Sequence, residues 1–337
     1  METILITGGT GYIGSHAAVC FLEAGYQIVL LDNLSNSHAA VLQRIATLTG
    51  QSPPFYRGNI ADAPLLDEIF NHHKITGIAH FAGLKAVAES VQQPLRYYQN
   101  NVAGSATLCA AMQKHGCKKL IFSSSATVYG APGAVAYTED MPLAPVNPYG
   151  RTKRMVEDIL RDLCAADSDW RVALLRYFNP VGAHPSGLIG EAPQAVPNNL
   201  MPYIAAVAVG TLPVLHIFGN DYPTADGTGV RDYIHVQDLV AGHLAAYAAL
   251  DKHPGCTAYN LGTGKGASVL EVVAAFVKAA HREIPYQFQP RRPGDLAEYY
   301  AAVDFTREKL GWQAQFDLQK MVEDHWNWQK NNPKGYL

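Results

Sequence analysis

The start of the chain constrains the fold more than any other stretch. Thr3–Thr7 is an apolar, β-branched run that ends at the glycine-rich turn GGTGYIG, residues 8–14. A helical pattern follows through Ala18, Phe21 and Leu22. Glycines at positions 8, 11 and 14 let the backbone approach a pyrophosphate, and the helix N-terminus supplies amide donors and a positive dipole end. The order of strand, glycine turn and helix therefore predicts a dinucleotide-binding unit.

A second buried strand, Ile28–Leu31, ends at Asp32, at about the spacing expected of a ribose-binding acid. A carboxylate there accepts a hydrogen bond from the adenosine 2′-hydroxyl and repels a 2′-phosphate, so NAD is favoured over NADP. The alternative interpretation of Asp32 is a turn residue at the end of a strand. The glycine turn upstream favours the ribose-binding interpretation.

Apolar strands and helical segments continue to alternate through the first half of the chain. The predicted segments are the strands at 54–56, 78–82, 119–122 and 171–178, the helix at 64–73, and a long helix that contains Asn100. Repeated βα units predict an α/β fold with a Rossmann-like, doubly wound parallel sheet and a ligand crevice at the carboxyl ends of its strands.

The alternation stops after about residue 180, where Gly, Pro and polar residues dominate up to Asn199. We expect an NAD-binding domain over residues 1–180, to which segments at about 230–262 return. Residues 181–337 are expected to form mainly a second, smaller substrate-binding α/β region. An amphipathic pattern over Leu318–Trp328 predicts a terminal helix packed on the body of the protein.

Composition narrows the function classes. The 337-residue chain has a net charge of −3, and its Lys and Arg residues are scattered, so no nucleic-acid partner is expected. Five cysteines without a C-x-x-C pair argue against a disulfide framework and a zinc site, and no metal is expected. The sequence shows neither a signal-peptide pattern nor a long apolar segment, so we expect a cytoplasmic protein without a membrane span.

The stretch YGRTK, residues 149–153, carries candidate chemistry. Asn147 is typical of a helix N-cap and Pro148 of the first helical position, so Tyr149 and Lys153 share one face of the first turn. A nearby ammonium and a helix N-terminus both stabilise a phenolate, which makes Tyr149 a candidate proton shuttle. An incidental Tyr and Lys on a surface helix is the alternative, and the accompanying motifs argue against it.

Two further features belong to the predicted crevice. Ser123–Ser125 follow a strand and could either form a simple turn or place a hydroxyl beside the Tyr149 phenol. Arg231 and Arg292 lie near glycine and proline loops, where guanidinium groups would suit a second diphosphate. Surface salt bridges explain the two arginines equally well from the pattern alone.

Taken together, the motifs resemble those of one family. GGTGYIG, LLDN, HFAGLKAV, SSSATVYG, PYGRTK, RYFNP, NNLMPY, GTGVRDYIHV and RRPGDL are similar to the motifs of the UDP-glucose 4-epimerases, which are extended short-chain dehydrogenases/reductases. The resemblance runs nearly end to end. It implies an isomerase of galactose metabolism that holds NAD tightly, takes UDP-glucose and UDP-galactose as partners, and forms a homodimer.

The resemblance also implies residue roles. Tyr149 and Ser125 would handle the proton of the sugar 4-hydroxyl, and Lys153 would bond the nicotinamide ribose and lower the Tyr149 pKa. The cofactor would be lined by Gly8, Gly11, Tyr12, Ile13, Gly14, Asp32, Asn33, Leu34, Ser35, Asn36, Ser37, Asn59, Ile60, Phe81, Ala82, Gly83, Leu84, Lys85, Asn100, Ser125, Tyr149, Lys153 and Phe178. The UDP-sugar would be lined by Ser125, Tyr149, Asn179, Asn199, Leu200, His216, Phe218, Arg231, Tyr233, Arg292, Asp295 and Tyr299.

The implied reaction is reversible epimerisation at C4 through a transient 4-keto sugar. Two positions depart from the family pattern: Asn59 replaces the usual Asp, which predicts a weaker adenine contact, and His216 lies where relatives vary. Tyr299 would face the hexose and exclude 2-N-acetyl sugars. The rival functions are a nucleotide-sugar 4,6-dehydratase, whose Asp-Glu pair is replaced here by Ala126-Thr127, and a non-catalytic dinucleotide sensor.

Overall fold

A computed structural model describes residues 2–133, 136–193, 197, 199–292 and 294–336. The strands are β1 Thr3–Thr7, β2 Gln27–Asp32, β3 Phe55–Arg57, β4 Ile75–His80, β5 Lys119–Ser125, β6 Ala136–Tyr137, β7 Arg171–Tyr177, β8 Asn179–Val181, β9 Leu215–Phe218, β10 Val230–His235, β11 Gly255–Leu261, β12 Gly266–Ser268, β13 Tyr286–Gln289 and β14 Glu298–Ala301. The helices are α1 Tyr12–Glu23, α2 Ala40–Thr49, α3 Ala63–His72, α4 Val87–Gln92, α5 Pro94–Tyr97, α6 Gly104–Lys114, α7 Pro148–Ala166, α8 Leu200–Ala208, α9 Val236–Ala249, α10 Val269–Ala280, α11 Asp304–Leu310 and α12 Leu318–Asn331. A π-helix spans Tyr98–Ala103, and a short 3₁₀ helix spans Ala126–Val128.

A seven-stranded parallel sheet organises the larger part of the molecule, with the strand order β11-β7-β5-β4-β1-β2-β3. The order reverses between β1 and β4, which is the switch point where doubly wound sheets open a crevice for ligands. Alternate residues of β1 face opposite sides: Ile4 and Ile6 pack in one apolar core with α1 and α9, and Leu5 packs in another with α3, α6 and α7. The predicted fold class is confirmed.

The second half of the chain adds a smaller layer. β12, β10, β14 and β6 form one sheet path, with β8 paired to β10, and β9 pairs separately with β13. Helices α8, α10 and α12 contribute to a separate apolar core beside these strands. β11 nevertheless lies at the edge of the large sheet, so the chain returns there after β10. The predicted domain boundaries stay a prediction.

The strong apolar patterns predicted their elements well. β1 spans the predicted residues, and α12 contains the predicted terminal helix. β4 ends at His80 rather than at residue 82, although the Phe81 amide still bonds the Thr7 carbonyl. Ser123–Ser125 continue β5 and pair with β7, so they do not form a turn. Asn100 lies in the π-helix rather than in a long α-helix.

Candidate active site

The glycine turn is shaped by close backbone contacts. Gly8 has a φ of +70°, and its amide donates to the Leu31 carbonyl at 2.7 Å. A Cβ atom on Gly14 would lie 2.1 Å from the Gly8 carbonyl oxygen, so only glycine lets α1 start this close to the turn. The N-cap of α1 is Gly11, which has no capping side chain. The helix N-terminus is therefore open to an anion, and this cradle fits a dinucleotide pyrophosphate.

Asp32, at the end of β2, holds the next loop. Its nearly buried carboxylate accepts hydrogen bonds from the Thr10 amide at 3.1 Å, the Leu34 amide at 2.8 Å and the Ser37 hydroxyl at 2.9 Å. Leu34 has a φ of +60°, which is uncommon for a residue with a side chain. The carboxylate thus fixes the loop 32–37 beside the glycine turn, where the ribose of a dinucleotide is expected.

Helix α7 begins as the sequence predicts. The Asn147 side chain accepts from the Gly150 amide at 2.9 Å, and Pro148 is the first helical residue. Lys153 is buried, and its Nζ lies 5.9 Å from the centre of the Tyr149 ring. The ammonium donates to the Ser123 carbonyl at 2.6 Å, which ties α7 to β5. The two side chains therefore share one face, as their spacing predicts.

The acid–base properties of this pair depend on their surroundings. Burial raises the pKa of Tyr149, whereas a hydrogen bond with Ser125 and the Lys85 ammonium lower it. Burial lowers the pKa of Lys153 to about 8, against the opposing effect of the Glu157 carboxylate. The groups that favour the Tyr149 phenolate here are therefore Ser125 and Lys85, and the expected effect of Lys153 on this phenol stays a prediction.

A buried polar network behind the serines was not predicted from the sequence. Glu157 accepts two hydrogen bonds from the Arg176 guanidinium, at 3.0 and 2.7 Å, and one from the Ser124 hydroxyl at 2.5 Å. Arg176 also donates to the Tyr129 hydroxyl at 2.9 Å. The network joins α7, β7 and the end of β5. Glu157 lies one turn beyond Lys153, but no sequence pattern pairs it with Arg176.

Asn101, which the sequence places beside Asn100 but gives no role of its own, connects three parts of the site. Its side chain accepts from the Leu84 amide at 2.8 Å and donates to the Leu84 carbonyl at 2.9 Å. A further bond of 3.1 Å reaches the Thr152 hydroxyl on α7. Asn100, the predicted cofactor residue, donates to the Asn101 side chain at 2.9 Å. The π-helix thereby joins the loop after β4 to the helix that carries Tyr149.

Glu191 is a further residue without a sequence signal. Its carboxylate is nearly buried and accepts from the Lys85 ammonium at 2.9 Å and from the Asn199 amide at 3.2 Å. Burial lowers the pKa of Lys85, but the Glu191 carboxylate more than offsets this, so that pKa is raised overall. Glu191 thus joins a predicted cofactor residue to a predicted substrate residue.

The predicted substrate residues gather around two arginines. The Arg231 guanidinium lies 4.8 Å from the centre of the Tyr299 ring and 3.9 Å from the Asp295 carboxylate. The Arg292 guanidinium lies 3.9 Å from the centre of the Phe218 ring. Both guanidinium groups therefore lie over aromatic rings, and Arg231 also donates to the Val230 carbonyl at 2.8 Å.

Other predicted residues are placed less centrally. The His216 side chain is exposed on β9, whereas Tyr233 is buried on β10. The Asn59 side-chain oxygen accepts a hydrogen bond from the Ala61 amide at 2.9 Å, so one of its lone pairs is used within the local turn. Asn198 and Pro293, which belong to two of the quoted motifs, lie outside the described residues. Among the described residues, no group of three or more His, Cys, Asp or Glu could hold a metal ion.

None of the helices in the described part of the chain is long and apolar enough to cross a membrane.

The model of the NAD-dependent epimerase/dehydratase family matches residues 4–262. The UDP-glucose 4-epimerase of Bacillus subtilis is 57% identical to the chain over 333 residues, which cover 99% of this chain and 98% of that one.

Solved structures agree with this match. A UDP-glucose 4-epimerase from Bifidobacterium longum in complex with NAD⁺ and UDP is 49% identical, with a TM-score of 0.95 over 99% of this chain and 100% of that one. The enzyme from Stenotrophomonas maltophila with NAD and formylated UDP-arabinopyranose is 47% identical, with a TM-score of 0.97 over 99% of each chain. The chain therefore belongs to the NAD-dependent epimerase/dehydratase family.

Proposed function

We propose that the protein is an isomerase that interconverts UDP-galactose and UDP-glucose at C4 with a tightly bound NAD. The observation that carries the proposal is the arrangement of Tyr149, Ser125 and Lys153 in one crevice with the glycine cradle. A relative named UDP-glucose 4-epimerase matches the chain over nearly its whole length at 57% identity, which supports the same assignment.

The residues that would hold NAD follow from the site. The amides at the N-terminus of α1 would bind the pyrophosphate, Asp32 the adenosine ribose, and Lys153 the nicotinamide ribose. When bound, NAD supplies a hydride acceptor that later returns the hydride. Asn101 holds the loop 81–85 against this site through its two bonds to Leu84.

In the proposed mechanism Tyr149, as phenolate, takes the proton of the sugar 4-hydroxyl, directly or through Ser125. C4 becomes a ketone. Arg231 and Arg292 hold the diphosphate while the hexose turns about its linkage, so that the opposite face of C4 is presented. Tyr149 then returns the proton, and the configuration is inverted without net oxidation. Since the hexose must turn, binding energy is concentrated on UDP rather than on the sugar.

The two positions that would carry carboxylates for an elimination reaction hold other residues in this site. A 4,6-dehydratase needs an acid and a base next to the serine run, but the two positions are Ala126 and Thr127. Thr127 donates to the Ser125 hydroxyl at 2.9 Å, and Ala126 is buried. A non-catalytic sensor would have no use for Tyr149, Ser125 and Lys153 together.

The proposal includes a homodimer in the cytoplasm. Five large apolar side chains are exposed on or beside helices α4, α5 and α7, which pack against one another. We call this set the α4–α7 apolar surface: Val87, Val91, Leu95, Val146 and Met155, exposed by 42%, 61%, 73%, 64% and 42%. A second copy of the chain would remove it from water.

The test needs purified protein and UDP-galactose without added NAD. Denatured protein should release about one NAD per chain, and native protein should form UDP-glucose until both sugars are at equilibrium. Tyr149→Phe protein, purified in the same way, is the control for a contaminating epimerase. Bound NAD without any conversion of UDP-galactose would overturn the proposed function, and release of mainly NADP would overturn the cofactor assignment.

A further inference from the structure

Tyr137 lies on strand β6, outside every motif that the proposed function uses. It is 1% exposed and belongs to an apolar cluster with Tyr129, Phe178 and Ala301. Its ring stacks on the Tyr299 ring with a centre-to-centre distance of 5.4 Å and an angle of 13°. The wall on which Tyr299 rests is therefore the Tyr137 ring.

Phe178 completes a three-ring cluster with this pair. Its ring centre lies 6.3 Å from that of Tyr137 and 6.1 Å from that of Tyr299. Tyr129 packs edge-on against Tyr137 at 5.2 Å. Three aromatic neighbours thus surround the Tyr137 ring, and a shift of this ring would require several of them to move.

The backbone of Tyr137 is fixed as firmly as its ring. Tyr137 pairs with Ala301 between the parallel strands β6 and β14. Its carbonyl oxygen accepts from the Ala302 amide at 2.9 Å and from the Asn260 side chain at 2.7 Å. Tyr299 lies on the same strand as Ala301, so strand pairing and ring stacking hold Tyr137 and Tyr299 in one register.

The Tyr137 hydroxyl can be considered separately from its ring. It is buried and has no hydrogen-bond partner among the described residues. Because the hydroxyl bonds no described residue, Tyr137→Phe removes no hydrogen bond and keeps the ring. The effect of the ring can therefore be measured separately from the effect of the hydroxyl.

We propose that Tyr137 is a specificity-determining residue, which holds the Tyr299 ring in place and thereby excludes UDP-sugars with a bulky substituent at C2. The inference rests on the proposed function and on the position against the hexose that the family resemblance implies for Tyr299. With Tyr137 in place the Tyr299 ring cannot retreat, because the space behind it is filled. A smaller residue at position 137 would let that ring move back and make room for an acetamido group.

The experiment compares UDP-galactose with UDP-N-acetylgalactosamine for wild type, Tyr137→Leu and Tyr137→Phe, each with its bound NAD. Tyr137→Leu should raise kcat/KM for the N-acetyl sugar relative to UDP-galactose on the order of tenfold, the usual effect of a small change in pocket volume. Tyr137→Phe keeps the ring and should leave the ratio at its wild-type value. A purely structural role would lower both rates together and leave the ratio unchanged.

A double-variant series makes the test specific for Tyr299. Tyr299→Cys should relax the ratio by itself, and adding Tyr137→Leu should then change it little, because the ring to be positioned is gone. Tyr137→Met, whose flexible side chain also lacks the ring, replaces Tyr137→Leu if the latter does not fold. An unchanged ratio in folded Tyr137→Leu or Tyr137→Met, or equal relaxation by Tyr137→Phe, would overturn the inference. Absence of UDP-galactose turnover in wild type would overturn the proposed function instead.

Discussion

At the scale of single residues, the chemistry depends on one phenol and the charges around it. Tyr149 shares the crevice with Ser125 and Lys153. Burial raises the pKa of Tyr177 on β7, and the charge of a Tyr149 phenolate raises it further. Burial favours the neutral phenol of Tyr149, so its pKa is raised above the ordinary value near 10. The reaction requires the phenolate, and the polar groups near Tyr149 must therefore supply the stabilisation that burial removes.

Tyr149→Phe removes the proton acceptor and leaves the ring. We expect turnover of UDP-galactose to fall by roughly two to four orders of magnitude, the usual contribution of a positioned general acid/base, while UDP binding changes little. Steady-state kinetics and calorimetric titration with UDP measure the two effects. Near-normal turnover in this variant would remove Tyr149 from the mechanism and leave Ser125 as the leading proton acceptor.

Lys85 and Glu191 should shift the pH dependence in opposite directions. The Lys85 ammonium lowers the Tyr149 pKa, so Lys85→Met should raise that pKa and move the acid limb of kcat/KM to higher pH. Glu191 lies 2.9 Å from the ammonium and offsets its charge. Glu191→Gln should therefore lower the Tyr149 pKa and move the same limb to lower pH.

The measurement is a pH profile of kcat/KM for UDP-galactose in wild type and both variants. His325 on α12 also lies near Glu191, but burial lowers the His325 pKa to about 4, so this side chain is neutral over the profile and His325→Gln serves as a control for effects that do not pass through Lys85. Shifts of the acid limb in the same direction for Lys85→Met and Glu191→Gln would contradict this electrostatic coupling.

At the scale of elements, the strand–turn–helix units could be predicted because their signals are local. β1, β2 and the start of α7 follow from apolar runs, a glycine turn and an N-cap that each occupy consecutive residues. The short strands of the second sheet carry no such signal: β6 has two residues and β14 has four, and they meet across nearly half the chain. Pairing over that distance is decided by packing, which a local pattern does not contain.

The candidate site divides in the same way. Tyr149, Lys153 and Asp32 could be found because each occupies a position fixed by its own helix or strand. Glu191 and Arg176 could not be found, because their roles come from partners on distant elements: Lys85 and Asn199 for Glu191, and Glu157 for Arg176. A residue that acts through a long-range pair has no neighbours in the sequence that reveal it.

The end of β2 should decide the choice of dinucleotide. Asp32→Asn keeps an oxygen that can accept from Leu34 and Ser37 but removes the negative charge, so repulsion of a 2′-phosphate disappears. We expect the affinity for NADP relative to NAD to rise on the order of tenfold to a hundredfold. Reconstitution of denatured protein with each dinucleotide measures the ratio. Asp62→Asn, which changes the N-cap of α3, should leave that ratio unaltered.

At the scale of the whole molecule, four buried histidines tie stability to pH. Burial lowers the pKa of His16 and His80 to about 3, and that of His243 and His325 to about 4. In the unfolded chain these groups are protonated below their ordinary pKa of 6.5. Between pH 6.5 and about 4 the unfolded state therefore binds more protons, and the free energy of unfolding falls as the pH falls.

Each histidine should contribute up to about 1.4 kcal/mol per pH unit to this slope. His80→Gln can keep bonds to the Thr7 and Ser105 hydroxyls. It should lower by about one the number of protons that the chain takes up on unfolding. Urea unfolding of wild type and variant between pH 5 and pH 6.5 measures the difference. Identical slopes for the two proteins would mean that His80 is protonated in the folded state.

The proposed dimer depends on the α4–α7 apolar surface. Leu95 is its most exposed member at 73%, so Leu95→Glu should place a charge on this surface and separate the dimer. Val277 on α10 is exposed by 37% in the second half of the chain, outside this surface, and Val277→Glu should leave the dimer intact. Sedimentation equilibrium gives the mass of each protein. A dimer that persists in Leu95→Glu and dissociates in Val277→Glu would place the interface elsewhere. A monomeric wild type would exclude the dimer.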